Sequence, residues 1–273
     1  MCLIVFDWRP SVTDGPLLTL VANRDEAFCR TAEPLHWWND APDVLAGRDL
    51  QGGGTWLGVT RGGRFAALTN YRAPHEMRDD APTRGALVAA WLTGVPGAPL
   101  DYLHEVARSG KLYNGFNLIV GDFRRHELGW YCNHHGAPPP ALLAEGTHGI
   151  SNAILDTPWP KLTRKRAELA RLIAARPPAS PGALIDMMRD PQQARDDELP
   201  STGLSPERER ALSAAFIELP DYGTRGTTAL RVSIQSAQIH VEVTERSDDD
   251  GSHQIVRPGH YERREQFVVT RGL

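Results

Sequence analysis

Cys2-Leu3-Ile4-Val5-Phe6, followed by Leu17-Leu18-Thr19-Leu20-Val21-Ala22 running into Asn23-Arg24-Asp25-Glu26, is the stretch from which the rest of this chain can be read. Two apolar runs of strand length, joined by a turn through Ser11 to Pro16, predict an antiparallel pair. Their near-continuous apolar character requires cover on both faces of the sheet they build. Pairing them brings the polar quartet 23–26 beside Cys2. If Met1 is removed, Cys2 carries both a thiol and a free α-amine, and an amine titrating at about 7.7–8.0 can serve as the base for the thiol. Arg24 would then favour the thiolate, and Asp25 would hold the ammonium. The competing reading makes Cys2 an apolar edge-strand residue and the quartet a turn.

Composition bounds the alternatives. A chain of 273 residues, 41% hydrophobic and 23% charged, is long enough for one large core, and no Gly/Ser linker or charge run divides it, so residues 1–273 read as one domain. A formal net charge of −4 argues against a general nucleic-acid binder, whose footprint is a basic stripe. Cys2, Cys29 and Cys132 sit at unrelated spacings, which suits reduced thiols in a cytoplasmic protein better than a disulfide framework. There is no apolar run long enough to span a membrane and no basic signal-peptide start. Oligomeric state is left open.

Further along, Trp37-Trp38 precedes an irregular Pro-containing loop to Gly47 and reads as a buried aromatic anchor. Thr55 to Thr60 and Phe65 to Thr69 flank Arg61-Gly62-Gly63-Arg64, a strong hairpin signal, and the second strand delivers Asn70 and Arg72 at its end. Gly52-Gly53-Gly54 is no phosphate loop, because it lacks the Lys-Ser/Thr ending and precedes a strand. Helical periodicity predicts helices over 82–92, 101–108, 159–175, 181–189 and 207–216. A second hairpin is expected from Phe116 to Gly121 and Glu127 to Cys132, and late strands from Thr227 to Gln235, Gln238 to Thr244 and Gln266 to Thr270, with a hairpin tip at Ser247 to Gly251. The Pro-rich segment 176–205 reads as a mobile surface insert near a substrate mouth. Lys161, Arg164, Lys165, Arg166 and Arg171 read as the solvated basic face of the 159–175 helix.

Cys132-Asn133-His134-His135 is the one local cluster with metal or haem donors. A lone Cys-x-His has no partner pair at zinc spacing and the Cys-x-x-Cys-His haem attachment is absent, so it reads as a loop, and no metal site is expected. His104, His148, His240, His253 and His260 are scattered, and none stands out as an axial ligand.

A set of motifs in fixed order adds a resemblance to these readings. Asn23-Arg24-Asp25-Glu26, Gly47-Arg48-Asp49, Gly53-Gly54-Thr55-Trp56-Leu57-Gly58, Thr69-Asn70-Tyr71-Arg72, Gly115-Phe116-Asn117-Leu118, Ser151-Asn152 and Leu155-Asp156-Thr157-Pro158-Trp159-Pro160-Lys161 resemble the NRDE family, which includes the transport and Golgi organisation proteins. The similarity runs from residue 2 to about residue 230. It implies the fold of the N-terminal-nucleophile (Ntn) hydrolases, similar to cholylglycine hydrolase and penicillin V acylase: an α+β, four-layer α-β-β-α sandwich of two mainly antiparallel sheets. Strand pairs at both ends of the chain with helices between them suit the same layers. The resemblance implies catalytic roles for Cys2, Arg24, Asp25, Asn70, Asn152 and Arg225, with Asn70 and Asn152 as oxyanion donors and Arg225 near the nucleophile. It places Asn23, Glu26, Trp56, Tyr71 and Asn117 at the substrate. Arg24 and Asp25 are adjacent where the acylases space arginine and aspartate three apart, so Asn23 stays open as an alternative to Arg24, and Glu26 to Asp25.

The expected function is therefore a cysteine amidohydrolase or acyltransferase acting on a small linear amide, with no cofactor. The alternative is a binding or trafficking protein that uses the same cleft for haem or an acyl-thioester, since some members of the family have been linked to haem trafficking. The first reading requires the Cys2 sulfur at the floor of a cleft with Arg24 or Asp25 and at least one of Asn70 and Asn152.

Overall fold

A computed structural model describes residues 2–95, 97–176, 178–248 and 261–270. The opening runs pair as expected. Strand β1 (Cys2–Trp8) lies antiparallel to β2 (Gly15–Ala27), with Cys2 opposite Arg24 and Leu3 opposite Asn23. The quartet 23–26 is strand, neither a turn nor a strand end, because a late partner continues the ladder past it. That partner is β11 (Tyr222–Gln235), whose Thr224 faces Asp25 and whose Gly226 faces Arg24 across a bulge at Arg225. Adding β10 (Gly146–Ile150), β12 (Gln238–Ser247) and β13 (Tyr261–Val268) gives a six-stranded sheet in the order β10-β1-β2-β11-β12-β13.

The second sheet has seven strands in sequence order: β3 (Ala32–Trp37), β4 (Val44–Asp49), β5 (Leu57–Thr60), β6 (Arg64–Asn70), β7 (Phe116–Asp122), β8 (Glu127–Cys132) and β9 (Ala141–Leu142). The region 32–49, which reads as irregular, supplies two of these strands. Its Pro34 falls at a register irregularity between Glu33 and His36, where a missing N–H does least harm. Trp38 is buried as expected, with Arg48 stacked 4.1 Å from its ring centroid.

Strand alternation sorts side chains into three apolar layers. Ile4, Phe6 and Trp8 with Leu18, Leu20 and Leu230 meet Leu57, Val59, Phe65 and Ile119 between the sheets. Leu3, Val5, Val21 and Ala229 face outward onto Leu162 and Leu169 of α3 (Pro160–Ala174) and Leu184 and Ile185 of α4 (Pro181–Met187). Ala66, Leu68, Leu118 and Val120 face α1 (Gly85–Thr93) and α2 (Pro99–Ser109) through Leu87, Val88, Trp91 and Leu103. Helices outside two antiparallel sheets make the four-layer α-β-β-α sandwich.

Three expectations need correction. Part of the segment 176–205 is packed instead of lying on the surface: Leu184, Ile185, Met187 and Met188 lie in the buried cluster over β1 and β2. The helix expected over 207–216 is shorter, α5 (Pro206–Ala211), because Leu212 to Phe216 turn inward to become core. The basic face of α3 is not all solvated, since Lys161 and Lys165 are buried. The removal of Met1, most of the hairpin tip at 247–251, and His253 and His260 lie outside the described residues. Among the described residues no helix is long and apolar enough to cross a membrane.

Candidate active site

A cleft of about 460 Å³ opens where the start of β1 and the end of β2 meet the end of β6 in the second sheet. Cys2, Arg24, Asp25, Glu26, Trp56 and Asn70 line it, with Arg84 and the loop 77–85 on the far side. The far wall approaches closely because Gly54 lies against the backbone of Gly85, where any Cβ would collide. This close approach is what the glycine run at 52–54 provides. Asp49 fixes that corner by accepting from the backbone N–H groups of Gln51 and Gly52 and from Arg30.

Cys2 and Arg24 share the inner face of the sheet as a cross-strand pair. Arg24 is 7% exposed, stacks 4.2 Å from the Trp56 ring centroid, and has no hydrogen bond or ion pair among the described residues. A buried guanidinium is normally met by carboxylates or carbonyls, so Arg24 presents an unmet demand for an anion to the cleft. Arg24 pulls the Cys2 thiol down, but it does not set the direction of the shift. Burial pushes the thiol up, Asp25 adds to this, and the opposing pull of Arg24 and of a hydrogen bond from the Asp25 backbone is smaller.

Asp25 is buried and accepts from the Thr224 hydroxyl at 2.6 Å. Burial pushes its carboxyl up, opposed first by Lys161. Glu26 lines the cleft and accepts from the N–H of Ala27.

Asn70 ends β6, and its side chain reaches the cleft with no hydrogen bond among the described residues. It is held there by the segment Ser151-Asn152-Ala153, which rivets the sheets together. The Thr69 hydroxyl donates to the Ser151 carbonyl at 2.6 Å, and the Ser151 hydroxyl donates to the Cys2 carbonyl at 3.4 Å. Asn152 donates to the Asn70 carbonyl at 2.9 Å and accepts the Arg72 N–H on its own carbonyl at 2.8 Å. Asn152 is 1% exposed and does not line the cleft, so it positions Asn70 from behind.

Four other residues read from the sequence are placed outside the cleft. Asn23 points to the helix side, where it donates to the carbonyls of Met188 and Ala215 and accepts from Thr227. It fastens the 188–215 segment to the sheet and has no donor left for a substrate. Asn117 donates to Thr69 and the Ala153 carbonyl and accepts from Trp130. Tyr71 stacks on His134 with centroids 3.9 Å apart. Arg225, the bulged residue, pairs with Asp248 at 3.1 Å and donates to the carbonyls of Ala27, Phe28 and Arg30, which ties down the loop after β2 behind Arg24. Of the open alternatives, Arg24 lines the cleft and Asn23 does not, while Asp25 and Glu26 both border it.

Sequence reading missed the buried charges beneath the site. Arg72 pairs with Glu209 at 2.6 Å and stacks over Trp159, and Lys161 donates to the Leu212 carbonyl at 2.8 Å. The signal for Lys161 was its place at the end of the Trp159-Pro160-Lys161 motif, where a helix opens onto the sheet. Among the described residues no cluster of His, Cys, Asp or Glu could hold a metal ion, and Cys132 is buried with its thiol pushed up to about 11 by burial.

Residues 1–250 match the family described as Transport and Golgi organisation 2. The chain belongs to that family. The family's Transport and Golgi organization protein 2 homolog from Bos taurus is 36% identical over 261 residues, covering 90% of this chain and 93% of that protein. The homolog from Homo sapiens is 35% identical over 269 residues, covering 93% and 96%. Among solved structures, the mutant C2A conjugated bile acid hydrolase from Clostridium perfringens aligns over 98% of this chain and 96% of its own, at 10% identity and a TM-score of 0.37. The family's Asn-Arg-Asp-Glu stretch is thus the part of β2 that divides its residues between cleft and helix layer.

Proposed function

We propose that this chain is an Ntn-type cysteine amidohydrolase or acyltransferase acting on a small linear amide, with Cys2 as nucleophile after removal of Met1. One observation carries the reading: Cys2 shares a cleft with Asp25, the bare guanidinium of Arg24 and the hydrogen-bond-free side chain of Asn70. The α-amine takes the proton of the Cys2 thiol as sulfur attacks the carbonyl. Asn70 donates to the oxyanion, a contact typically worth about 10²–10³ in rate. Asp25 holds the ammonium so formed. On collapse the C–N bond breaks and the ammonium returns its proton to the departing amine. Water then hydrolyses the acyl-Cys2 thioester, or a second amine takes the acyl group. Arg24 suits an amide carrying an acidic group beside the scissile bond.

A second reading, binding without chemistry, is favoured by one observation: burial raises the Cys2 thiol instead of lowering it. An acyl-thioester with an anionic end would suit Arg24 and Arg84. For haem, the cleft wall carries no histidine among the described residues, so it offers no imidazole as axial ligand.

Intact-mass spectrometry after incubation with a library of N-acyl amides and thioesters separates the two. The enzyme reading expects a chain lacking Met1, a transient acyl adduct on Cys2, and loss of turnover in Cys2→Ser and in a chain that keeps Met1. Retained Met1 in the native protein, or ligand binding without any adduct and unchanged in Cys2→Ser, would favour the binding protein.

A further inference from the structure

The cleft at Cys2 has a smaller neighbour. A hollow of about 20 Å³, on the scale of a single water, is lined by Pro34 of β3, Arg225 and Gly226 of β11, and Glu245 and Ser247 of β12. Arg24 and Trp56 line both cavities, so these two side chains form the wall between them. Trp56 is fixed on two sides. Its backbone carbonyl accepts from the Leu68 N–H at 2.8 Å, and the far edge of its ring fills a notch over Gly47, where a Cβ would come within 2.4 Å of Cη2. Arg24 lies on the ring face, 4.2 Å from the centroid.

The charge changes sign across this wall. On the cleft side Arg24 has no hydrogen bond or ion pair among the described residues, while the carboxylates nearby are engaged, Asp49 by Arg30 at 2.6 Å and Glu26 by the Ala27 N–H at 2.9 Å. On the hollow side stand the carboxylates of Glu33 and Glu245, the latter accepting from the Leu35 N–H at 2.7 Å and the Thr228 hydroxyl at 3.1 Å. An anionic group entering from the cleft therefore meets a cation at the wall and acids behind it, so Arg24 is where it stops.

We infer that Trp56, carrying Arg24 on its face, is the specificity wall of the cleft, and that it restricts the substrate to a compact one whose acid group lies a short linker from the carbonyl at Cys2. Cys2 and Arg24 are direct cross-strand partners, and such partners have Cβ atoms about 4.5–5.5 Å apart. An acid on Arg24 and a carbonyl at Cys2 thus belong to one short molecule. The inference rests on the amidohydrolase reading for its substrate, but the wall itself can be probed with alkylating reagents, which need neither the α-amine nor turnover.

Labelling of Cys2, separated from Cys29 and Cys132 by peptide mass spectrometry, compares iodoacetamide, iodoacetate and N-hexyl iodoacetamide at pH 8. Trp56→Ala should raise the rate of the N-hexyl reagent relative to iodoacetamide by roughly tenfold, because the hollow joins the cleft, and Trp56→Phe should fall between. The ratio of iodoacetate to iodoacetamide should drop roughly threefold in Arg24→Met, in which the wall loses its cation. A size ratio unchanged in Trp56→Ala, or in Trp56→Phe where the alanine variant does not fold, would overturn the inference. So would a charge ratio indifferent to Arg24, or a Cys2 that none of the three reagents reaches. Labelling ratios as stated, together with no acyl adduct and no turnover on any amide, would instead sink the hydrolase reading and leave the wall in place.

Discussion

Two buried arginines meet at the bulge in β11, Arg225 within it and Arg24 across from it on β2, and they are supplied in opposite ways. Arg225 is well supplied, with Asp248 on its Nε and three backbone carbonyls on its Nη1. Arg24, one strand away and about as buried, rests on Trp56 with no anion or carbonyl of the described residues to receive its N–H groups. The first arrangement is what a guanidinium needs to serve as a structural tie. The second is poorly arranged for stability and well arranged for a ligand. The same division separates Asn23, whose amide is fully used, from Asn70, whose amide is not.

The contrast can be broken by stability measurements. Arg225→Met should cost about 3–5 kcal/mol in urea unfolding, since it breaks the buried pair with Asp248 and frees the carbonyls of Ala27, Phe28 and Arg30. Asn23→Ala should cost about 2–3 kcal/mol, because two buried carbonyls and the Thr227 hydroxyl lose their partner. Arg24→Met should change stability by no more than about 1 kcal/mol, as it removes a charge that has no partner to lose. Equal losses at Arg24 and Arg225 would erase the distinction. Arg24→Met should also slow Cys2 alkylation slightly, because Arg24 is a minor influence favouring the thiolate.

The smallest effect is expected at the His148–Asp156 pair, 2.8 Å apart and partly exposed, which braces the turn after Asn152. His148 is raised by its hydrogen bond to Asp156. Its contribution is therefore complete below the ordinary histidine value near 6.5 and fades as pH rises through the folded value above it. Asp156 is held below its ordinary value, with His148 the leading favourable partner against burial, and its contribution fades as pH falls through that lower value. Melting temperature should thus drop modestly between pH 6 and pH 8.5, and Asp156→Asn should flatten that slope. An unchanged slope would show that the pair does not brace the turn.

The parts of the fold that were legible in the sequence are those with a local signature. The β1–β2 pair, the hairpin around Gly62-Gly63 and the α1 to α4 helices follow from periodicity and turn chemistry. Strands β3 and β4 were not legible, because Pro34, Pro42 and a register irregularity break the alternation that would have marked them. At the site, Cys2, Arg24, Asp25, Glu26, Trp56 and Asn70 were read together and lie together. Asn23 could not be separated from Arg24 without the register, since a one-residue step along a strand reverses the face. Arg225 was misjudged for a related reason: it sits in a bulge, which re-aims a side chain in a way no spacing rule reveals. Lys161 reads as part of a solvated basic face, and only the packing of α3 onto the sheet makes it interior.

The bond from Thr224 to Asp25 joins positions 199 residues apart in the chain, and it sits in the longest seam of the first sheet. Loops of that span are slow to close, because the entropy of bringing the ends together is lost before any contact compensates it. Asp25 and its neighbour Arg24, which both face β11, are therefore expected to acquire their surroundings late in folding. Until β11 docks, β2 has an open edge and the Cys2 thiol lies on an unfinished sheet. Refolding from urea should bury Cys2 in the same slow phase that completes the global fold. Pulse alkylation during refolding would time the assembly of the site by the disappearance of one reactive sulfur.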